Sequence, residues 1–206
     1  EAAHMILLDD NFATIVKAVQ EGRRIYDNIR KFIKYTMTSN SGEIVTIFLA
    51  PFLGLPIPLL PIHILWINLV TEGGPALALG LDSPSDCIMN SKAFKSNDRI
   101  LDYTTTRHIL SKGTGIGFST FGVYLAGLAG YRFVPKAQTM AFAGLITSQL
   151  INVYDVRKNP GASPNNPLLL PSVAMSLAMT LSCIYTPGAG ALFGTIPLSI
   201  LDWAMI

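Results

Sequence analysis

Two carboxylates stand out because of the sequence around them. Glu43 closes the stretch Thr38-Ser-Asn40-Ser-Gly42-Glu43. Glu72 lies in Asn68-Leu-Val-Thr71-Glu72-Gly-Gly-Pro75, and both sit inside long apolar blocks. An ionisable side chain in such a block is expensive to bury and marks a functional site by default. Asn40 and Glu43 are spaced i, i+3, and Asn68, Thr71 and Glu72 are spaced i, i+3, i+4, so in helices each group shares one face. Pro75 has no N–H, so the Thr71 carbonyl loses its helical donor, and Gly73 and Gly74 loosen the same turn. The pattern predicts an interrupted helix with free carbonyl oxygens. Carboxylates, amides, hydroxyls and carbonyls together form an all-oxygen set, the chemistry of a hard cation such as calcium. Transporters often bind cations at broken helices of this kind. The competing reading is that each carboxylate is protonated and hydrogen-bonds a neighbouring helix. Gln149, accompanied by Thr147, Ser148 and Asn152, either reaches the same cavity or makes an interhelical hydrogen bond.

The elements that must position these residues are apolar blocks at 35–53, 59–81, 113–130, 137–154 and 168–186, with a shorter one from Ile196 to Ile206. The five long blocks match the ~20 residues a helix needs to cross a ~30 Å hydrocarbon core. Half of the 206 residues are hydrophobic and 14% are charged, against roughly 25% charged in an average soluble domain. Disorder is excluded by this composition, and a disulfide scaffold by having only Cys87 and Cys183. A net charge of +2 with scattered basic residues argues against nucleic acid as a partner. The reading is therefore all-α: a multi-pass transmembrane bundle of about five spans plus the start of a sixth, with the lipid bilayer as its surroundings. Counted from Lys34 and from Asp82, Glu43 and Glu72 lie nine and ten helical residues in. That is roughly 14–15 Å, near the middle of the core.

Thirteen of the fifteen basic residues flank one side of these blocks, and only Arg132 and Lys136 flank the other. The positive-inside rule then puts the N-terminus in the cytoplasm, loops 81–107 and 155–167 inside, and loops 54–58 and 131–136 outside. Cys87 would be a free thiol in a reducing compartment. Met5-Ile-Leu-Leu8 reads as a short strand, and the first residues, with no basic region before an apolar run, are not expected to act as a signal peptide. Asp9, Asp10 or Asn11 can cap the following helix. That helix has no proline through residue 50 and is expected to run as one long rod from the cytoplasm into the membrane. His63 falls near the outer end of the second block, where an interfacial role is expected ahead of a proton-sensing one. Gly113-xxx-Gly117 is a small-residue pattern for close helix packing.

Ala3-His-Met-Ile-Leu-Leu-Asp-Asp-Asn-Phe12, Gly22-Arg-Arg-Ile-Tyr-Asp-Asn-Ile-Arg-Lys-Phe32, Thr38-Ser-Asn-Ser-Gly-Glu43 and Leu65-Trp-Ile-Asn-Leu-Val-Thr71 resemble the C-terminal part of type II P-type ATPases. The nearest kinds are the sarcoplasmic-reticulum-type calcium pumps and their bacterial relatives. The resemblance is dense to about residue 80 and weakens to general hydropathy beyond about 110. It implies that residues 1–10 are the tail of a cytoplasmic phosphorylation domain. Residues 11–206 would be the stalk and C-terminal transmembrane domain, truncated within the last helix. It also implies that Asn40, Glu43, Asn68, Thr71 and the carboxylate at 72 are ion ligands, and that the loop from Leu81 to Arg107 contacts the phosphorylation domain. Gln149 matches a position where two-calcium pumps carry Glu, which implies one ion per cycle or another stoichiometry. Glu72-Gly-Gly-Pro75 departs from the family's Asp-Gly-Leu-Pro. The longer carboxylate and looser backbone predict weaker calcium binding, restored by Glu72→Asp with Gly74→Leu.

The chain has no Asp-Lys-Thr-Gly, Thr-Gly-Glu or Gly-x-x-x-x-Gly-Lys motif, so it is not expected to hydrolyse ATP by itself. In the parent pump that the resemblance implies, ATP and magnesium belong to the missing catalytic domains. The remainder of that pump, including helices one to four, is the expected partner, and calcium is the transported ion. The alternatives are a sodium, potassium or proton pump of the same pattern, or a stand-alone membrane channel or subunit.

Overall fold

The computed structural model describes residues 11–84, 88–90, 100–158 and 166–206. The expected strand at 5–8, the domain tail at 1–10, Cys87 and much of both inside loops lie outside the described residues. Among those described, regular structure is helical throughout. The helices are α1 (Phe12–Phe52), α2 (Pro61–Trp66), α3 (Gly73–Gly80), α4 (Tyr103–Tyr131), α5 (Val134–Arg157), α6 (Leu169–Tyr185), α7 (Pro187–Phe193) and α8 (Ile200–Met205), with a π-helical turn, Ile67–Thr71, between α2 and α3.

The long rod is present as the single 41-residue helix α1, and the Asn11 side chain caps it by accepting the Ala13 N–H at 3.0 Å. Pro51 is tolerated because it falls in the last turn, and Gly54, at φ +66°, helps reverse the chain toward α2. Asp102 caps α4 by accepting the Thr105 N–H at 2.7 Å. Hydrogen bonds from the Thr105 side chain and backbone hold the Asp102 carboxyl at about 2, below the usual range.

α1 and α4 pack backbone to backbone, as the glycine spacing predicts. A Cβ on Gly113 would lie 2.5 Å from Ser41 Cβ, and one on Gly117 would lie 2.5 Å from Val45 Cβ and 3.0 Å from the Gly42 carbonyl. Three apolar clusters form among the described residues, and two of them bear on the site. One joins Ala50, Leu59, Ile67, Phe121, Phe142, Leu145, Ile146 and Leu150. The other joins Tyr35, Ala76, Leu79, Val153, Val156 and Leu169. On α1 and the α2–α3 segment, the stretch between these two clusters carries the polar residues, and on α5 Gln149 falls between Ile146 and Leu150 of the first.

Judged by length and apolarity, one described helix can cross a membrane, the continuous segment Pro61–Gly80. A second qualifies only if α6 and α7, bent by 87°, count as one span. α1, α4 and α5 have the length but carry more polar sequence. The reason is visible on α5, whose buried face includes Gln138, Thr139, Gln149 and Asn152.

His63 departs from the interfacial expectation. It is fully buried: Nδ1 accepts the Leu60 N–H at 3.3 Å, Nε2 lies 2.8 Å from the Phe193 carbonyl, and the ring stacks on Phe142 at 4.6 Å. A ring with both nitrogens engaged inside the protein ties α2 to the end of α7 and has nothing to offer an interface.

Candidate cation site

Glu43 is the centre of the polar layer. Its Oε2 accepts from Asn68 Nδ2 and its Oε1 from Gln149 Nε2, both at 3.1 Å. Three elements thereby meet on one carboxylate: α1, the π turn and α5. Glu72, at the C-terminal end of that turn, is 4% exposed and within electrostatic reach of Glu43, with Ser39 of α1 beside it. Tyr35 is buried within reach of both carboxylates. Thr71, Ser39 and Gln149 are fully buried.

Several polar atoms here have no partner: Glu72 Oε1, Thr71 Oγ1, Gln149 Oε1, Ser39 Oγ and Tyr35 OH. A buried polar atom left unpaired costs about 1–3 kcal/mol, and native interiors keep few of them. Their concentration around two carboxylates fits a space that a cation or water fills in use. All five are oxygens, which suits a hard cation. Among the described residues no group of three or more His, Cys, Asp or Glu could hold a metal, so amides and hydroxyls must complete any coordination around the two carboxylates.

Of the residues singled out in the sequence, Glu43, Asn68 and Gln149 are joined directly, and Glu72 and Thr71 lie with them. Gln149 makes an interhelical hydrogen bond, and its acceptor is Glu43. Asn40 is half-buried and has no polar partner among the described residues. Thr147 directs its hydroxyl to the Ala143 carbonyl at 2.9 Å, and Ser148 lines a separate groove between α4 and α5. Tyr35 and Ser39 escaped the sequence reading, although Tyr35, Ser39 and Glu43 follow one another at i, i+4, i+8 on one face of α1.

The helix interruption takes a different form from the one expected. The turn widens before Glu72, where the Glu72 N–H reaches the Ile67 carbonyl at 2.9 Å, and α3 resumes at Gly73 with Pro75 in its first turn. The Thr71 carbonyl deprived by Pro75 is not free, because Ser176 Oγ of α6 donates to it at 3.0 Å. Gly74 faces the same helix. A Cβ there would sit 3.6 Å from Ser172 Cβ and 3.7 Å from Ser176 Oγ. Both are ordinary van der Waals distances, so a leucine at 74 would bring its outer carbons beside Ser172 and Ser176 of α6.

One further polar centre lies at the end of α3. Asp82, whose side chain is 1% exposed, pairs with Lys31 Nζ at 3.1 Å and Arg157 Nη2 at 3.1 Å, and its carbonyl accepts from Arg24 and Asn28, both at 2.9 Å. In the sequence Asp82 marks only the end of the second apolar block. The structure makes it the tie between α1, the end of α3 and α5.

Residues 56–206 match the family model described as "Cation transporting ATPase, C-terminus". The chain belongs to this family. Among similar proteins, a calcium-transporting ATPase of Bacillus subtilis (strain 168) is 41% identical over 214 residues, covering 100% of this chain and 24% of that protein. Calcium-transporting ATPase 1 of Bacillus cereus is 35% identical over 226 residues, covering 100% of this chain and 25% of its own length. Calcium-transporting ATPase 4, endoplasmic reticulum-type, of Arabidopsis thaliana is 29% identical over 266 residues, with the same two shares of 100% and 25%. This member of the cation-transporting ATPase family thus spans about a quarter of the length of the relatives it matches. Its polar layer falls both inside and outside the stretch covered by the family model. Asn68, Thr71, Glu72 and Gln149 lie within it, and Glu43 lies on the long helix before it.

Proposed function

We propose that this chain is the ion-binding, membrane-embedded C-terminal part of an ATP-driven pump whose cargo is calcium. The observation that carries the proposal is the buried layer in which Glu43 and Glu72 lie within electrostatic reach of each other among Asn68, Thr71, Gln149 and unpaired oxygens. Asn40 completes the ligand set from α1. The relatives' names support calcium as the cargo. Residues 1–10 belong to the tail of the phosphorylation domain, and 11–206 form stalk and membrane domain. ATP and magnesium bind in catalytic domains outside this chain, and that remainder of the pump is its partner. The N-terminus faces the cytoplasm.

The arrangement of polar inside and apolar outside supports five spans in spite of the modest apolarity of α1, α4 and α5. Phe48, Leu65, Leu69, Leu77, Phe118 and Ile151 all face outward and are at least 60% exposed, a surface that a soluble monomer rarely presents. In lipid the same side chains are solvated, and the polar residues of those helices turn inward. Cysteines introduced at Ser96 and Ser163 test the orientation, since both should be labelled only from the cytoplasmic side. ATP-driven uptake of radioactive calcium by proteoliposomes containing the full-length pump tests the cargo. Uptake that follows sodium or potassium and ignores calcium would transfer the site to that cation.

A further inference from the structure

We propose that Ser176 of α6 is a positioning residue for the cation site, holding the broken turn of Thr71 and Glu72 in register with Glu43. The proposal rests on reading the Glu43–Glu72 layer as the cation site. Its basis is a deficit created by the sequence and met from another helix. Pro75 cannot donate to the Thr71 carbonyl four residues back, and an unpaired carbonyl at a fully buried position is costly. Ser176, 3% exposed, supplies the missing donor from α6 at 3.0 Å. Its own backbone carbonyl is tied in turn by Thr180 Oγ1 at 2.8 Å.

The approach requires small residues on both sides, and they are present. Gly74 lies against Ser172 and Ser176, where an added Cβ would already be in van der Waals contact with both. The hydroxyl therefore replaces, from a neighbouring helix, the hydrogen bond that would otherwise keep residues 71–75 in an ordinary turn. The Thr71 carbonyl is directed to α6, which leaves the Thr71 hydroxyl and the Glu72 carboxylate as the groups available to a cation. Without the donor, the segment carrying both groups gains freedom that cation binding must remove, and that ordering weakens affinity.

The test compares Ser176→Thr with Ser176→Val in the full-length pump. The two side chains have the same shape and differ in the hydroxyl. The readout is calcium titration of ATP-dependent phosphorylation. Ser176→Val is expected to raise the half-saturating calcium concentration three- to tenfold with its maximum phosphorylation retained, and Ser176→Thr to stay within twofold of wild type. Ser176→Ala, which removes the hydroxyl without adding bulk, should behave as Val does. Equal half-saturation in the Thr, Val and Ala variants would overturn the proposal. So would a loss of maximum phosphorylation in Val and Ala with no change in half-saturation, the mark of a purely structural contact. If calcium activates no protein, wild type included, the calcium reading fails. The same comparison is then run on the cation that does activate: a Thr–Val difference there upholds the role of Ser176, and its absence overturns it.

Discussion

Replacing Glu43 by Gln removes one carboxylate charge and little else. Wild-type Glu43 accepts amide N–H groups on both oxygens, from Asn68 and Gln149 at 3.1 Å each. In the variant one acceptor becomes an NH₂ group and faces a donor. Gln149 can rotate its amide to meet it, because Gln149 Oε1 has no partner in the wild-type arrangement. The cost to folding is then about the difference between a charge-assisted and a neutral hydrogen bond, on the order of 1 kcal/mol. The cost to calcium is far larger. Even with the full screening of bulk water, a divalent ion ~2.4 Å from a carboxylate oxygen loses about 3.5 kcal/mol when that charge is removed, and a buried site screens less. Affinity should fall at least a few-hundred-fold. In the full-length pump, calcium titration of ATP-dependent phosphorylation should show no activation at concentrations that saturate wild type, with little change in thermal unfolding. Activation at the wild-type calcium concentration would refute the reasoning and assign Glu43 to the protonated, hydrogen-bonded role.

Gly117→Ala should lower thermal stability by about 1–3 kcal/mol, because its Cβ would meet Val45 at 2.5 Å and the helices must part. Gly122→Ala, with nothing within 4 Å of the new carbon, is the control and should be close to neutral in the same unfolding measurement. Asp82→Asn should destabilise by about 3–5 kcal/mol, since it leaves buried Lys31 and part-buried Arg157 with one carboxylate fewer. Asp155→Asn breaks a partly exposed pair with Lys112 and should cost no more than about 1 kcal/mol. Gly74→Leu should weaken calcium activation, alone or with Glu72→Asp, because the side chain is driven against Ser172 and Ser176. An increase in calcium affinity in that titration would mean that α6 can move aside.

Much of the site was legible in the chain because its signals are local. Glu43 and Glu72 stand out wherever apolar sequence surrounds a carboxylate, and i, i+3, i+4 spacing puts Asn68 and Thr71 on the face of Glu72 whatever the helix packs against. The absence of proline through residue 50 determined α1 as one rod, and the spacing of Gly113 and Gly117 announced a close approach without naming the helix approached. What only the tertiary structure decided are pairings across distant sequence. Gln149 meets Glu43 across 106 residues and Ser176 meets the Thr71 carbonyl across 105. His63 is buried instead of interfacial because α7 returns to cover it, and Asp82 becomes the tie of three elements because α5 brings Arg157 to it. Periodicity shows which residues share a face. It carries no information about which helix faces them, and that depends on how all the helices bury their polar groups together. Pro75 illustrates the division: the sequence required the Thr71 carbonyl to lose its donor, and the fold alone determined that a serine on α6 would replace it.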